Sequence, residues 1–184
     1  CARITPIYKG KGSRKDKENF RPVSNLSLFG KYQEICVDIQ LRQYCEKLGL
    51  FGQHQHAFRK SRSTTTALLT TAIRWQENKL KRKHQASLFF VLSAAYDVLD
   101  RDIFLKKVEL CGIGGVAFQW LNSYLSQRSQ VVQVGQGYSD ELFLESGTPQ
   151  GSSCSCLVFI LFVGDLQLWI KNDLLQAYAD DVSL

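Results

Sequence analysis

The spacing of apolar residues in the first half of the chain predicts two amphipathic helices. Across residues 32–48 the apolar side chains recur every three or four positions, and Gly49 follows as a helix end. Ser63, together with the threonines after it, predicts the capped start of a second helix that runs into the basic residues near Lys79. The predicted buried stripe of this second helix consists of Leu68, Ala72 and Trp75.

The second half of the chain predicts short strands among further helices. The apolar run 87–92 has the length of a strand, and an unbroken run is typical of a central strand covered on both faces. The remaining predicted elements are helices over 100–111, 116–125 and 152–170, a hairpin formed by 130–134 and 141–145, and a final strand over 174–179. Together these elements predict an α+β fold with helices packed against a small mixed sheet.

The composition supports a folded chain with an affinity for polyanions. Apolar residues make up 45% of the 184 residues and aromatic residues 11%, which is enough for a core and argues against disorder. The formal net charge is +6, which suits a polyanionic partner without proving one. Seven basic residues fall between Arg3 and Arg21 against two acidic ones, and a second basic cluster covers 79–83. Taken alone, such runs more often form a solvated face.

The cysteines predict the cellular compartment of the protein, and the chain ends predict that the sequence is part of a longer one. The six cysteines lack the spacing of zinc ligands, so we expect reduced, mostly buried thiols in an intracellular, cytoplasmic or nuclear protein. The longest apolar run, 156–163, is too short to cross a bilayer. Because the sequence lacks methionine and stops inside a predicted hairpin, we expect it to be a piece of a longer protein.

Two short segments carry candidate chemistry. Asp180 and Asp181 are adjacent at the end of the final strand, where two carboxylates 4 Å apart repel each other by about 1 kcal/mol in water. A divalent cation such as Mg²⁺ would neutralise them, although a solvated turn is the commoner setting for such a pair. Upstream, the segment 147–152 reads Gly-Thr-Pro-Gln-Gly-Ser immediately before a predicted helix. Such a loop allows close backbone approach to a ligand, or forms an ordinary capped turn.

Six ordered segments together resemble the reverse transcriptase domain of non-LTR retrotransposons. The loop 147–152 and the Tyr-Ala-Asp-Asp of 178–181 resemble the paired motifs of that family. Residues 21–24 and 57–64 resemble its two fingers motifs, 92–97 the motif that opens the palm, and 124–130 the segment between palm motifs. The resemblance spans essentially the whole chain. It implies a right-hand polymerase fold without the thumb, with a fingers-like region at 1–86 and a palm-like region at 87–184.

The resemblance also implies a role for each matching residue. Asp180 and Asp181 would bind two Mg²⁺ ions that align a primer with the α-phosphate of a deoxynucleoside triphosphate. Tyr96 would exclude a ribose 2′-hydroxyl. The other nucleotide-binding residues would be Arg59, Pro149, Gln150 and Gly151. The residues expected along an RNA template and DNA primer are Lys9, Lys11, Arg14, Arg21, Lys60 and Arg62. No membrane and no specific protein partner is implied.

Several positions depart from the family pattern, and Val91 is the most consequential. The family has a catalytic carboxylate five residues before the aromatic residue at 96, and this chain has Val91 there. Asp97 is a poor substitute, because it lies beyond the strand and is expected to cap the next helix. Glycines expected in the second fingers motif are replaced by Ala57 and Ser61, and a usual proline by Cys156. We therefore expect a polymerase domain that is inactive as written.

Two alternatives stay open at this point. The first is a repurposed or decayed nucleic-acid-binding protein that keeps the basic surface and has lost the chemistry. The second is an unrelated metal-dependent nuclease or phosphotransferase that uses Asp97, Asp180 and Asp181.

Overall fold

The computed structural model describes residues 1–170 and 175–184, which form two compact units. Unit 1 comprises Cys1–Ile39 and Tyr96–Ser155, and unit 2 comprises Gln40–Ala95 and Cys156–Leu184. The helices are α1 (Leu28–Leu48), α2 (Thr64–Leu80), α3 (Arg101–Leu110), α4 (Gly115–Leu125), α5 (Ser153–Phe162) and α6 (Leu166–Trp169). The strands are β1 (Ala2–Tyr8), β2 (Phe20–Asn25), β3 (Phe89–Val91), β4 (Ser129–Val134), β5 (Gly137–Tyr138), β6 (Leu142–Phe143), β7 (Gln176–Tyr178) and β8 (Asp181–Ser183).

Unit 1 is built on a mixed sheet in the order β2-β1-β4-β5, with β6 also paired to β4. β1 pairs antiparallel with β2 from Arg3 to Tyr8 and parallel with β4 through Ala2, Arg3 and Ile4. The predicted hairpin is confirmed by the antiparallel pairs that β4 makes with β5 and β6. The buried apolar side chains of this unit include Ile4, Leu99, Phe104, Val108, Ile113, Leu121 and Leu125.

Unit 2 contains a three-stranded antiparallel sheet in the order β3-β8-β7. A two-residue turn, Ala179 and Asp180, joins β7 to β8, so the second strand of the expected hairpin is formed. Residues around Gln55 lie along the other edge of β7, where Gln55 makes a parallel bridge to Ala177. Leu175, Ala177 and Val182 form a buried cluster, against which Leu166, Ile170 and Leu184 pack.

The predicted helix boundaries are largely confirmed. α1 ends at Leu48, and Gly49 follows with a φ of +68°, a conformation that glycine adopts without strain. Ser63 caps α2 through a capping box, in which its hydroxyl accepts from the Thr66 N–H and the Thr66 hydroxyl accepts from the Ser63 N–H. α3 and α4 agree with the predicted helices to within one residue at each end.

Two burial predictions in unit 2 are wrong. Leu68 and Trp75 of α2 are 70% and 45% exposed, so the predicted stripe is not buried. The run 87–92 forms only the three-residue strand β3, which is exposed rather than covered on both faces. Within residues 1–170 and 175–184, β3 pairs with β8 alone and is therefore an edge strand.

Other predictions need smaller corrections. The helix predicted over 152–170 is split into α5 and α6, with Gly164 between them at a point where an added Cβ would meet the Leu50 carbonyl oxygen. Leu174, the predicted start of the final strand, lies outside the described residues. None of the six cysteines, all of which lie in the described residues, forms a disulfide, and just two of them, Cys45 and Cys154, are buried. Across the described part of the chain, we find no helix with the length and apolar character needed to span a membrane.

Candidate functional site

The two adjacent aspartates lie on the hairpin of unit 2, beside the end of β3. Asp181 begins β8 and is paired with both Tyr178 on β7 and Val91 on β3. The Asp180 carbonyl accepts a hydrogen bond from the Leu92 N–H at 2.9 Å. Position 91 therefore lies beside the two aspartates.

The side chains of Tyr178, Asp181 and Val91 share one face of the sheet, since residues directly opposite each other on paired strands point the same way. Val91 is 66% exposed, Asp181 is exposed and Asp180 is half-buried. Position 91 is thus open and adjacent to the acidic hairpin, although its side chain has no lone pair to offer a cation.

A two-ion centre does not fit the residues present. Asp180 and Asp181 supply two carboxylates, and the neighbouring third position holds valine. Among residues 1–170 and 175–184, no cluster of three or more histidine, cysteine, aspartate or glutamate side chains is arranged to hold a metal ion. Two carboxylates with water and phosphate oxygens suit a single Mg²⁺.

The loop 147–152 lies in unit 1. Its first two residues are hydrogen-bonded to the backbone of the segment that precedes α3. The Gly147 N–H donates to Leu99 O and the Thr148 N–H donates to Tyr96 O, both at 2.8 Å. Gly147 has a φ of +77°, and an added Cβ would lie 2.6 Å from Asp97 O, so only glycine fits. The Arg101 guanidinium donates to the carbonyls of Leu144, Ser146 and Gly147.

Gln150 and Asp97 form a polar pair on this loop. The Gln150 Nε2 donates to both carboxylate oxygens of Asp97, at 2.8 and 3.1 Å. The expectation that Asp97 caps the following helix is wrong: Asp100 caps α3 by accepting from the Ile103 N–H at 2.9 Å. Asp97 instead fixes the amide of Gln150, a contact that the sequence analysis did not foresee.

The far end of the loop is anchored by a buried carboxylate. Glu34 of α1 accepts from the Ser152 hydroxyl at 2.6 Å and from the Ser153 N–H at 3.0 Å, at the start of α5. The Tyr124 hydroxyl contacts the hydroxyls of Ser152 and Ser155, and burial raises the pKa of Tyr124 to about 12. Sequence analysis missed Glu34, because a single acid inside an amphipathic helix carries no distinguishing signal.

The remaining loop residues differ in exposure. Pro149 is buried and its carbonyl accepts from the Ser155 hydroxyl at 2.7 Å, whereas Gly151 is exposed with a φ of +95°. The Gln150 carbonyl accepts from the Ser24 N–H at 2.8 Å, which ties the loop to β2. Tyr96 is half-buried.

Arg59 is engaged inside unit 2 rather than presented to solvent. Its Nε and Nη2 donate to the two Glu46 carboxylate oxygens at 2.9 and 2.6 Å, and its Nη1 donates to Gly52 O at 2.5 Å. The side chain is 9% exposed, and its hydrogen bond lowers the pKa of Glu46. The Arg59 fork is occupied by the Glu46 carboxylate, and pairing of Arg59 with a triphosphate stays a prediction.

The other predicted cations are more accessible. Lys60 is exposed, while Arg62 is half-buried and donates to the backbone carbonyls of Gln53 and Gln55. Along the N-terminal segment Lys9, Lys11, Arg14 and Arg21 are all exposed. Lys9 donates to Glu18 O, and the Arg14 guanidinium lies 5.0 Å from the centre of the Tyr8 ring.

Comparison with known proteins agrees with this geometry. Residues 10–184 match the family model described as reverse transcriptase (RNA-dependent DNA polymerase). The chain is 26% identical over 190 residues to a probable RNA-directed DNA polymerase from transposon BS of Drosophila melanogaster, and 26% identical over 184 residues to one from transposon X-element of the same organism. These alignments cover 100% and 97% of this chain but only 21% and 20% of the relatives, so the chain spans about a fifth of their length.

Solved structures support the fold. Apo telomerase from Candida tropicalis matches 90% of this chain and 37% of its own, with a TM-score of 0.67 at 12% identity. Telomerase from the same organism, in complex with a fragment of telomeric RNA, matches 99% of this chain and 35% of its own, with a TM-score of 0.66 at 13% identity. The predicted α+β polymerase fold of fingers and palm is confirmed. On the family match across residues 10–184, the chain belongs to the reverse transcriptase family.

Proposed function

We propose that this chain is the fingers-like (1–86) and palm-like (87–184) part of an RNA-directed DNA polymerase from a non-LTR retrotransposon. The observation that carries the proposal is the pairing of Asp181 with position 91, beside Asp180 on the same hairpin. The two transposon relatives support it, and so does the motif order along the chain. The partners would be an RNA template, a DNA primer and deoxynucleoside triphosphates, inside the cytoplasm or nucleus.

The residues divide into those that contact the nucleotide and those that follow the nucleic acid. Gln150, held by Asp97, would contact the incoming nucleotide or its template base, with Pro149 and Gly151 shaping the loop. Tyr96 would exclude the 2′-hydroxyl. Exposed cations at Lys9, Lys11, Arg14, Arg21 and Lys60, with the half-buried Arg62, would bind the phosphate backbone without reading sequence.

The chain as written does not catalyse nucleotide addition. An intact family member would use two Mg²⁺ ions to neutralise and align the reacting phosphate. Val91 removes one of the three carboxylates needed, which leaves Asp180 and Asp181 to bind a single divalent cation. A second candidate function follows from the same observation: a repurposed or decayed nucleic-acid-binding protein. It is favoured because valine at position 91 removes a catalytic carboxylate but leaves the exposed basic residues in place.

The test measures binding and extension separately. Fluorescence anisotropy with a labelled DNA primer on an RNA template should show binding that weakens steeply as salt rises. Replacing Lys11 and Arg14 by glutamine should weaken binding more than the matched removal of two exposed charges at Lys47 and Lys106. Equal losses would refute the proposed nucleic-acid surface. Primer extension with deoxynucleotides and Mg²⁺ should give no product, and template-dependent elongation would overturn the claim of inactivity.

A further inference from the structure

Gln55 places a buried side-chain amide against the turn that carries the aspartates. The residue is 0% exposed and lies within unit 2, 124 residues away from that turn in sequence. Its Oε1 accepts from the Ala179 N–H at 3.0 Å, and its Nε2 lies 3.4 Å from the Ala179 carbonyl oxygen, which it faces as a donor. One amide therefore contacts both backbone polar groups of a single turn residue.

Ala179 needs this support because of its backbone conformation. It is the first residue of the two-residue turn between β7 and β8, and its φ is +55°. Non-glycine residues are strained in this left-handed region and keep it only where surrounding contacts impose it. Ala179 is also directly followed by Asp180, so any change in its φ and ψ redirects the carboxylates.

The backbone around Gln55 is held independently of its side chain. The His56 N–H donates to Ala177 O at 2.8 Å, and the Ala177 N–H donates to His54 O at 2.9 Å. The Gln55 carbonyl also accepts from Arg59 and Arg62, at 3.3 and 3.2 Å. Removing the amide should therefore leave the segment attached to β7 and affect the turn selectively.

We propose that Gln55 is a positioning residue, which fixes the Ala179 turn so that Asp180 and Asp181 keep the orientation needed to bind a divalent cation. This inference rests on the proposed function, in which Asp180 and Asp181 bind a single divalent cation. The side chain at position 55 must both accept and donate hydrogen bonds. Gln55 Oε1 accepts from the N–H groups of Ala179 and Ala57, at 3.0 and 2.9 Å, and Gln55 Nε2 faces the Ala179 carbonyl oxygen as a donor. A primary amide of glutamine length meets this requirement, and an apolar side chain of similar size does not.

The first test is amide hydrogen exchange followed by NMR on the whole chain without metal. Gln55→Met should speed exchange at Ala179 by about tenfold, the effect of losing one buried hydrogen bond, while Ala177 changes by less than about twofold. Gln53→Met, at an exposed neighbouring glutamine, is the matched control and should change neither amide. Equal acceleration at Ala177 and Ala179 would show that Gln55 merely holds the segment, and no change at Ala179 would also overturn the proposal.

The second test is Mn²⁺ binding measured by electron paramagnetic resonance. Gln55→Met should weaken binding about fivefold or more, and the double variant with Ala179→Gly should recover at least half of the loss, because glycine adopts the turn conformation without a brace. If Gln55 only stabilised the fold, Ala179→Gly would not restore the Mn²⁺ binding that Gln55→Met loses. If Gln55→Met does not fold, Gln55→Asn replaces it, since the shorter amide cannot reach Ala179, and the same two readouts apply.

The two tests distinguish stabilisation of the Ala179 turn by Gln55 from cation binding by Asp180 and Asp181. If the wild-type chain shows no Mn²⁺ binding that depends on Asp180 and Asp181, the proposed cation binding fails, and the exchange result alone decides whether Gln55 stabilises the turn. If Mn²⁺ binds the wild type and Gln55→Met equally, positioning of the carboxylates is refuted.

Discussion

Restoring a carboxylate at position 91 should create a stronger cation site on the hairpin of unit 2. Val91 and Asp181 are opposite each other on paired strands, so their Cβ atoms are separated by about 4.5–5.5 Å and point to the same face. Val91 is 66% exposed, so an aspartate fits there without entering the core. Val91→Asp therefore adds an acidic ligand beside the two that are present.

Coulomb's law gives the size of the effect. One added negative charge about 4 Å from a divalent ion contributes about 2 kcal/mol even at the dielectric constant of water, which is about 30-fold in Kd. Without metal the same charge repels Asp181 by about 1 kcal/mol, so the apo variant should be less stable than the wild type. Saturating Mn²⁺ should reverse this order, since a ligand at 100 times its Kd stabilises the fold by about 2.7 kcal/mol.

The assay combines Mn²⁺ titration by electron paramagnetic resonance with thermal unfolding at several Mn²⁺ concentrations. Phe89→Asp is the matched control, because Phe89 lies on the same strand and face but is paired with Ser183 rather than with an aspartate. The carboxylate introduced by Phe89→Asp would lie at roughly twice the distance from the ion, so it should contribute about half as much to the free energy of Mn²⁺ binding. Equal gains from Val91→Asp and Phe89→Asp would refute the reasoning, and so would the absence of any gain from Val91→Asp.

Three further predictions concern stability. Ser63→Ala should lower the free energy of unfolding in urea by about 1 kcal/mol through loss of the α2 cap, and Ser63→Asp should keep most of it. Arg59→Gln should cost about 1–2 kcal/mol because its half-buried carboxylate partner loses a bidentate hydrogen bond, whereas Lys60→Gln at an exposed site should change stability by less than about 0.5 kcal/mol. Burial lowers the pKa of His54 and His56, so the folded state disfavours their protonation, and stability should fall as pH drops below about 6.5. Replacing both by glutamine should flatten this dependence in thermal melts, whereas a change at the exposed His84 should not, and an unchanged slope in the double variant would contradict the assignment.

Local signals in the sequence predicted the elements that local chemistry determines. The serine cap at 63, the glycine after α1 and the turn between β7 and β8 each involve neighbouring residues, and each is present in the structure. The motif resemblance also predicted that position 91 lies beside the aspartates. That prediction needed the family pattern, since 90 residues separate the two strands.

Burial was predicted less well, because it depends on partners that periodicity does not identify. The apolar stripe of α2 is exposed, and β3 is an edge strand, although both patterns are typical of covered elements. Polar contacts between distant segments were not predictable from periodicity either. Gln55 reaches Ala179 across 124 positions and Glu34 reaches Ser152 across 118, and neither residue differs in local pattern from a solvated side chain.

The valine at position 91 is compatible with folding of the hairpin. Pairing between β3 and β8 uses backbone groups, which are the same for valine and aspartate, and β-branched valine favours strand conformation where aspartate does not. Replacing a carboxylate there also removes its repulsion with Asp181, about 1 kcal/mol in water, whenever no cation is bound. A change from aspartate to valine therefore stabilises the metal-free hairpin while it removes a ligand. Selection for catalysis, rather than for folding, is what would keep an acid at this position.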